Sequence, residues 1–383
     1  MKFNILTFGC KVNQYESNMM KEKMLSSSFL FEENLDKADI IIVNTCSVTN
    51  VADKKCLKTI RKIKREYPEK VLAITGCSSQ NKQEIYEKLD ADILIGNKDK
   101  SKIADYIKEF LQTEKHVIKF YNERNLEFED MMINNYNHVR AFIKIEDGCD
   151  NFCSYCIIPF VRGSVRSKKF AEVINEAKIL TEKNHKEIVL TGIHTGRYES
   201  DNHDLTDLIN ALSKIEKIKR IRISSIEITE LNDKFLNMLK ENPKVCDHLH
   251  IPLQAGSNEI LKRMNRKYDL EFYENKIKEI RNIRPDISIS TDIIVGFPYE
   301  TDELFAECLK FSEKMEFSKI HVFPYSLREG TAAAQMDHQV PAEIKKNRVR
   351  KLIELSNKLE KNYIEYMIGR DLRWLIGNMS ELF

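Results

Sequence analysis

The first third of the chain repeats one unit, an apolar segment of strand length followed by a segment with helical periodicity. The apolar segments are KFNILTFGC (2–10), ADIIIVNTC (38–46), KVLAITGC (70–77) and ADILIG (91–96). Their spacing suits βαβ units, in which consecutive strands run parallel and a helix connects them. We therefore predict a small parallel α/β sheet with helices on its faces.

Three of these four segments end in a cysteine, namely Cys10, Cys46 and Cys77. Parallel strands point the same way, so all three thiols should emerge at the carboxyl edge of the sheet, where open α/β sheets hold their ligands. Free cysteines are often simply small buried hydrophobic residues. Burial alone does not select the last position of three separate strands, however, and the pattern therefore favours one common site.

A second alternation of strands and helices follows the first. Its six strand segments are RAFIKIEDG (140–148), KEIVLTGI (186–193), KRIRISSIE (219–227), DHLHIPLQAG (247–256), ISISTDIIVGFP (287–298) and SKIHVFPYS (318–326). Such an alternation predicts a parallel sheet, and six units predict a partial (βα)6 barrel rather than a closed one of eight. The segments end in polar or glycine residues, which predicts a pocket at their carboxyl ends.

The chain has 383 residues, of which 42% are hydrophobic, and this is enough for two hydrophobic cores. The patterns above divide the chain into five parts. The predicted parts are an amino-terminal domain (1–120), a linker (121–138), a barrel domain (139–335), a helical tail (336–367) and a short terminal segment (368–383).

The composition excludes several classes of protein. A net charge of +2 is not that of a polycationic nucleic-acid binder. No apolar run approaches the ~20 residues that a membrane-spanning helix needs, so we expect no membrane association. The opening residues lack the apolar core of a secretory signal, and the nine cysteines are therefore expected in a reducing, cytoplasmic compartment.

A third set of thiols lies in the loop DGCDNFCSYC, where Cys149, Cys153 and Cys156 have the spacing C-x3-C-x2-C. A structural zinc site needs four ligands, and a redox pair needs only C-x-x-C and leaves Cys149 unexplained. An iron–sulfur cube can be held at three corners, which leaves the fourth iron open to a substrate or cofactor.

This spacing, after the first strand of a partial barrel, resembles the radical S-adenosylmethionine superfamily. The resemblance implies a 4Fe-4S cluster on Cys149, Cys153 and Cys156 whose open iron is chelated by S-adenosylmethionine. It also implies reductive cleavage of that cofactor to a 5′-deoxyadenosyl radical.

The earlier trio of cysteines is similar to that of the methylthiotransferases within this superfamily, and residues 248–268, 291–301 and 321–333 resemble their barrel segments. The likeness implies a second 4Fe-4S cluster on Cys10, Cys46 and Cys77. One S-adenosylmethionine would methylate a sulfur on that cluster, and the radical from a second would activate carbon 2 of an adenine for transfer of the methylated sulfur.

The segment TFGCKVNQYES, with Lys11, Val12, Asn13 and Gln14, resembles the branch that acts on threonylcarbamoyladenosine in tRNA. The branches that act on isopentenyladenosine or on a ribosomal protein aspartate remain alternatives, as does an iron–sulfur electron carrier or sensor. The expected partners are tRNA and an external electron donor such as flavodoxin or ferredoxin, and the sulfur source is open. Residues 368–383 resemble the start of the family's tRNA-binding TRAM domain.

Contacts to S-adenosylmethionine are expected at the strand ends, from Thr191, Gly192, Ser224, Ser225, Glu227 and Gln254. His194 and His250 are interpreted as packed histidines. Cys56, Cys246 and Cys308 are interpreted as ordinary core residues.

Overall fold

The structure is a computed structural model that describes residues 1–47, 50–136 and 139–370. The described chain forms two compact units that interleave along the sequence. The first unit comprises Met1–Asn134, Ile143–Asn151 and Ile157–Lys168, and the second comprises Asn135–Phe142, Phe152–Cys156 and the described residues from Lys169 onward. The sequence predicts domains that follow one another along the chain, and those boundaries remain a prediction.

The first unit is built on a six-stranded sheet, all of whose strand pairs are parallel. In chain order the strands are β1 (Lys2–Thr7), β2 (Leu30–Phe31), β3 (Ile40–Thr45), β4 (Val71–Gly76), β5 (Ile93–Ile95) and β6 (Val117–Lys119). Their order across the sheet is β2-β1-β3-β4-β5-β6. The four predicted strands are present, and the two additional ones lie at the edges.

Five helices connect the strands of the first unit. They are α1 (Lys11–Ser26), α2 (Asn50–Glu66), α3 (Cys77–Asn81), α4 (Gln83–Glu87) and α5 (Ile103–Thr113). Every residue of the central strand β3 is buried, as expected for a parallel strand covered on both faces.

The chain between the two alternating regions contains several short elements. They are β7 (Arg140–Lys144), β8 (Glu146–Asp147), α6 (Ile158–Val161) and β9 (Arg166–Ser167). The strands β8 and β9 pair antiparallel within the first unit, with Asp147 opposite Arg166. This pairing fixes the chain on both sides of the loop that carries Cys149, Cys153 and Cys156.

The remaining described strands are β10 (Glu187–Thr191), β11 (Glu199–Ser200), β12 (His203–Asp204), β13 (Arg220–Ile223), β14 (His248–His250), β15 (Ser288–Val295) and β16 (Lys319–Pro324). The barrel strands form two three-stranded sheets with the orders β13-β10-β7 and β14-β15-β16. The amide of Ile226 donates to the carbonyl of His250 at 3.0 Å and so joins the two sheets beyond β13. All six predicted barrel strands are present, which confirms the predicted α/β fold.

The described part of the second unit contains seven helices. They are α7 (Phe170–Glu182), α8 (Leu205–Ser213), α9 (Asp233–Glu241), α10 (Asn258–Arg263), α11 (Leu270–Ile283), α12 (Asp302–Lys314) and α13 (Ala342–Met367). The long helix α13 packs on β16, where the Ser356 hydroxyl accepts from the amide of Ile320 at 3.0 Å. Within the described part of the chain, no helix combines the length and apolarity needed to cross a membrane. Of the predicted TRAM-like segment, residues 371–383 lie outside the described residues.

A buried ion pair attaches α13 to the loop after β15. The Arg348 guanidinium donates to Glu300 Oε1 and to Asp302 Oδ1, both at 2.8 Å, and the side chains of Arg348 and Glu300 are only 5% and 4% exposed. Removing one partner of such a pair leaves a buried charge uncompensated.

We therefore expect Arg348→Met to lower the free energy of unfolding by about 3–5 kcal/mol. The control is Arg350→Met on the same helix, because the Arg350 side chain is 72% exposed and should contribute little. Urea denaturation followed by circular dichroism compares the two. Equal urea midpoints for the two variants would show that the buried Arg348–Glu300 ion pair does not stabilise the packing of α13.

Candidate active site

Three cysteines of the first unit, Cys10, Cys46 and Cys77, lie at the ends of adjacent parallel strands. Cys10 follows β1 and caps the amino terminus of α1, and Cys46 directly follows β3. Cys77 follows β4 and is the first residue of α3. Since β1, β3 and β4 are neighbours in the sheet, their carboxyl ends bring the three residues to one edge.

Backbone and sulfur come into direct contact at this edge. Gly9, with φ of +104°, adopts a conformation that residues with side chains rarely take, and a Cβ placed on it would lie 2.6 Å from the sulfur of Cys46. The turn that leads into Cys10 therefore packs so closely against Cys46 that only glycine fits at position 9.

The sulfur of Cys77 receives a hydrogen bond from a buried arginine. Arg162 Nε donates to Cys77 Sγ at 3.2 Å, and Arg162 Nη2 donates to Asn13 Oδ1 at 2.9 Å. Asn13 in turn donates from Nδ2 to the carbonyls of Phe8 and Thr45, which precede Cys10 and Cys46. One chain of hydrogen bonds thus connects all three cysteine-bearing strand ends.

Arg162 is also the centre of a buried network of charged side chains. Its Nη1 donates to Glu16 Oε1 and to Asp147 Oδ1, both at 2.9 Å. Lys144 Nζ donates to Glu16 Oε1 at 2.7 Å and to Asp147 Oδ2 at 2.8 Å, and Lys100 Nζ also donates to Glu16. All five side chains are 4% exposed or less.

The network sets the charge of its acidic members. Burial alone would raise the pKa of the Glu16 carboxyl, but the guanidinium of Arg162 and the neighbouring lysines hold it well below its usual range. Burial would also raise the pKa of the Asp147 carboxyl. The positive charges of Arg166 and Lys144 lower it by more, so this pKa lies well below its usual range. Both carboxyl groups are therefore ionised at neutral pH.

The thiol of Cys10 responds to the same surroundings. Burial raises the pKa of Cys10, and the positive charge of Arg162 opposes that rise. A thiolate at Cys77 would raise the pKa of Cys10 further.

The start of the C-x3-C-x2-C loop is fixed within the first unit. Cys149 follows Asp147 by two residues, and its amide donates to the carbonyl of Gly163 at 3.1 Å. Arg162 donates to the Asp147 carboxylate, and Gly163, which follows Arg162, accepts from the amide of Cys149. The segment 162–163 therefore orients both Asp147 and Cys149.

The other two cysteines of that loop belong to the second unit. Arg266 Nη1 donates to Cys153 Sγ at 3.2 Å, and the amide of Cys156 donates to the carbonyl of Cys153 at 2.9 Å. Ser154 is bound on both sides, because its amide donates to the carbonyl of Met264 at 3.1 Å and its hydroxyl donates to that of Arg263 at 2.8 Å. The turn is therefore held by the segment that follows α10.

The residues predicted to contact S-adenosylmethionine lie at strand ends of the second unit. Thr191 is the buried last residue of β10, with Gly192 next to it, and the amide of Ser224 donates to the carbonyl of Leu190 at 3.0 Å. Ser225 and Glu227 follow β13. The Glu227 carboxylate pairs with Arg266, which is also the donor to Cys153.

Gln254 has an unusual backbone conformation. Its φ is +68°, and it bridges to Ile293 of β15, with its amide donating to the carbonyl of Asp292 at 2.8 Å. The carbonyl of Gln254 also accepts from the amide of Ile294 at 2.9 Å, so the chain still pairs with β15 at this point.

Several polar residues of the site were not predicted from the sequence. Arg162 and Arg266 contact cysteine sulfurs, yet no spacing in the sequence marks either of them. The interpretation of His194 as a packed residue agrees with its 3% side-chain exposure. His250 is 14% exposed and hydrogen-bonded, with its Nδ1 2.9 Å from Ser290 Oγ and its Nε2 3.2 Å from Asp292 Oδ2. Cys56, Cys246 and Cys308 are all buried.

Among the described residues, one group of possible metal ligands has its ligand atoms all within 4.8 Å of one another, and it consists of His250, Asp292 and His321. Cys10, Cys46 and Cys77 offer a different donor set, three thiols at one sheet edge. Such a set is chemically suited to hold an iron–sulfur cube at three corners.

Two families match successive parts of the chain. Residues 2–96 match the uncharacterized protein family UPF0004, and residues 143–312 match the Radical SAM superfamily. The radical SAM fold implies one 4Fe-4S cluster and S-adenosylmethionine.

Named relatives match nearly the whole chain. The threonylcarbamoyladenosine tRNA methylthiotransferase MtaB of Bacillus subtilis is 40% identical over 93% of this chain and 80% of its own length. The protein of the same name from Aquifex aeolicus is 37% identical over 100% of this chain and 94% of its own length. A tRNA-2-methylthio-N(6)-dimethylallyladenosine synthase of Thermoanaerobacter is 36% identical over 99% of this chain and 83% of its own length.

Solved structures share the fold at low sequence identity. The radical S-adenosylmethionine methyltransferase TsrM from Kitasatospora setae superposes with a TM-score of 0.63 and 12% identity, covering 87% of this chain and 76% of its own. The cobalamin-dependent radical enzyme OxsB gives a TM-score of 0.57 with 14% identity, over 93% of this chain and 56% of its own.

We expect Arg162→Met to destabilise the first unit by about 3–5 kcal/mol, because Glu16 and Asp147 lose a buried counter-charge. Arg166→Met is the matched control, since Arg166 also donates to Asp147 but is 11% exposed and has no bond to Glu16 among the described contacts. Urea denaturation of the cluster-free proteins measures both. A loss for Arg162→Met no larger than that for Arg166→Met would contradict the central role of Arg162.

Proposed function

Because the chain belongs to the methylthiotransferases of the radical S-adenosylmethionine superfamily, we propose that it converts N6-threonylcarbamoyladenosine beside the anticodon of tRNA to its 2-methylthio derivative. The observation that carries this proposal is the identity of 37–40% with three relatives named for that activity, over 93–100% of the chain. The presence of both cysteine trios supports it further.

The radical chemistry is assigned to the loop after β7. Cys149, Cys153 and Cys156 would hold the 4Fe-4S cluster, which supplies the electron that cleaves S-adenosylmethionine to a 5′-deoxyadenosyl radical when both are bound. Arg266 orients the Cys153 sulfur, and the carbonyl of Gly163 holds the amide of Cys149. These contacts hold the Cys153 sulfur and the backbone of Cys149 in place.

The contacts to S-adenosylmethionine are assigned to the strand ends of the second unit. Thr191 and Gly192 would bind the methionine amino group, Ser224, Ser225 and Glu227 would line the next strand end, and Gln254 would contact the ribose. The pairing of Glu227 with Arg266 supports this assignment, because it connects these strand ends to Cys153.

The second cluster is assigned to Cys10, Cys46 and Cys77, where the sulfur to be transferred would be held. The buried contacts of Arg162 and Asn13 support this assignment, because they orient the three strand ends without supplying a fourth thiol. One S-adenosylmethionine would supply the methyl group, and the second would be cleaved to methionine and the radical. An external one-electron donor such as flavodoxin or ferredoxin, and a sulfur donor, would complete the reaction.

A second candidate substrate is isopentenyladenosine in tRNA. A relative named for dimethylallyladenosine is 36% identical over 99% of the chain, which is close to the 37–40% of the first group. Overall identity therefore separates the two substrates only weakly, and a direct measurement is needed.

Cells that lack this protein should retain threonylcarbamoyladenosine but lose its methylthio group. Mass spectrometry of nucleosides from digested tRNA measures both species, and a plasmid copy of the gene should restore the methylthio peak. A methylthio-threonylcarbamoyladenosine peak that is unchanged in the deletion strain would refute the proposed substrate.

Anaerobic reconstitution should load about eight irons per chain, four on each cluster. Cys153→Ala should abolish cleavage of S-adenosylmethionine, and Cys46→Ala should retain cleavage but end sulfur insertion. Each variant should lose about four irons.

The control for these variants is Cys246→Ala, a buried cysteine of the second unit that is outside both trios. It should keep the full iron content. Fewer than about four irons in the unchanged protein would exclude two clusters, and methylthiolated product from Cys46→Ala would exclude the amino-terminal trio as the second site.

A further inference from the structure

The strands β14, β15 and β16 present a polar face that the radical chemistry described above does not use. Along β15 the side chains alternate, with Ile289, Thr291 and Ile293 buried and Asp292 partly exposed between them. The buried set faces the core of the second unit, as period-two alternation requires. The opposite face carries His250, Asp292 and His321, which we call the polar triad.

The register of the parallel strands brings the triad together. His250 lies opposite Ser290, and Asp292 lies opposite His321. His250 Nε2 is 3.2 Å from Asp292 Oδ2, the rings of His250 and His321 are 5.6 Å apart, and the three ligand atoms are all within 4.8 Å of one another.

A hydrogen-bonded serine fixes the orientation of His250. Ser290 Oγ lies 2.9 Å from His250 Nδ1 and 3.0 Å from His248 Nε2. One ring nitrogen of His250 is therefore engaged by Ser290, and the other points to Asp292. The side chains of His250 and Asp292 are 14% and 30% exposed, and His321 is exposed, so the triad is accessible to a ligand.

The triad is attached to the strand ends that are assigned to the cofactor. The carbonyl of His250 accepts from the amide of Ile226, next to Glu227, and the carbonyl of Asp292 accepts from the amide of Gln254. A ligand on the triad would therefore lie beside the residues that we assign to S-adenosylmethionine.

We propose that the polar triad recognises the threonylcarbamoyl group and so selects this substrate over isopentenyladenosine. The inference rests on the proposed function and deepens it. The threonylcarbamoyl group carries a carboxylate, a hydroxyl and urea N–H groups. The exposed imidazole of His321 donates an N–H to the carboxylate, and Asp292, which is oriented by His250, accepts from a hydroxyl or a urea N–H.

An isopentenyl group has no polar atom to offer. If an isopentenyl group were bound at the triad, it would remove water from the His321 imidazole and the Asp292 carboxylate without replacing those hydrogen bonds. This costs free energy for each group left unpaired. A site built from polar side chains therefore rejects the apolar substrate more strongly than an apolar pocket could reject the polar one.

Two histidines and a carboxylate are also a common ligand set for a divalent metal ion. We favour recognition of an organic group because the face is accessible to a ligand larger than an ion, with His321 exposed and the Asp292 side chain 30% exposed. A metal ion on the triad is a distinct outcome of the test below.

The test compares two synthetic anticodon stem–loops that differ only in carrying threonylcarbamoyladenosine or isopentenyladenosine. The reconstituted enzyme is assayed on both, and kcat/KM for the methylthio product is measured by mass spectrometry. His321→Phe should lower kcat/KM on the threonylcarbamoyl RNA by about 10- to 100-fold, the range for a lost hydrogen bond to a charged group. The same variant should not lower it on the isopentenyl RNA.

Two further variants make the result specific. His321→Gln retains a hydrogen-bond donor and should recover part of the loss, which a purely structural role for the ring would not produce. His203→Phe is the control, because His203 stacks on Phe170 with a centroid distance of 4.2 Å and a phenyl ring keeps that contact. It should leave both rates unchanged, and iron content and thermal unfolding confirm that each variant is loaded and folded.

Several results would overturn the inference. An equal loss on both RNAs, or no loss on the threonylcarbamoyl RNA, would refute selection by the triad while leaving the proposed function intact. Binding of one Mn²⁺ per chain that is lost in His321→Phe would identify the triad as a metal site instead. Absence of product from either RNA with the unchanged enzyme would refute the proposed function, and the inference with it.

Discussion

A fully buried guanidinium is the interaction on which the first unit depends. Arg162 contacts two carboxylates, an asparagine and a cysteine sulfur, and it does so at 1% exposure. An isolated buried charge is very costly, and a charge in such a place persists only if every neighbour is correctly positioned. The cost of burial thus becomes a geometric constraint, since the strand ends and the segment around Asp147 must be placed correctly for the network to be neutralised.

The general form of the fold was predictable because it depends on local patterns. Apolar segments such as those that contain β3 and β4 are continuous, and their spacing indicates parallel strands. The edge strands β2 and β6 were missed, because two or three residues are too few to show a period. The positions of the three amino-terminal cysteines at strand ends followed from the same local pattern.

The charged network could not be predicted in this way, because its partners are far apart in the sequence. Glu16 and Arg162 are separated by 146 positions, and each alone resembles an ordinary surface charge on a helix. The polar triad was missed for a related reason. His250, Asp292 and His321 come from three strands, and only the register of those strands brings them to one face.

The course of the chain around the C-x3-C-x2-C loop has a consequence for the protein as a whole. Ile143–Asn151 and Ile157–Lys168 belong to the first unit, whereas the five residues Phe152–Cys156 between them belong to the second. No single cut in the polypeptide yields both units intact, because each takes strands or turns from the other's stretch of sequence. The two units are therefore expected to be expressed and folded as one chain. If homologous genes exchanged the segment that encodes the amino-terminal part, the exchanged segment would have to include this loop.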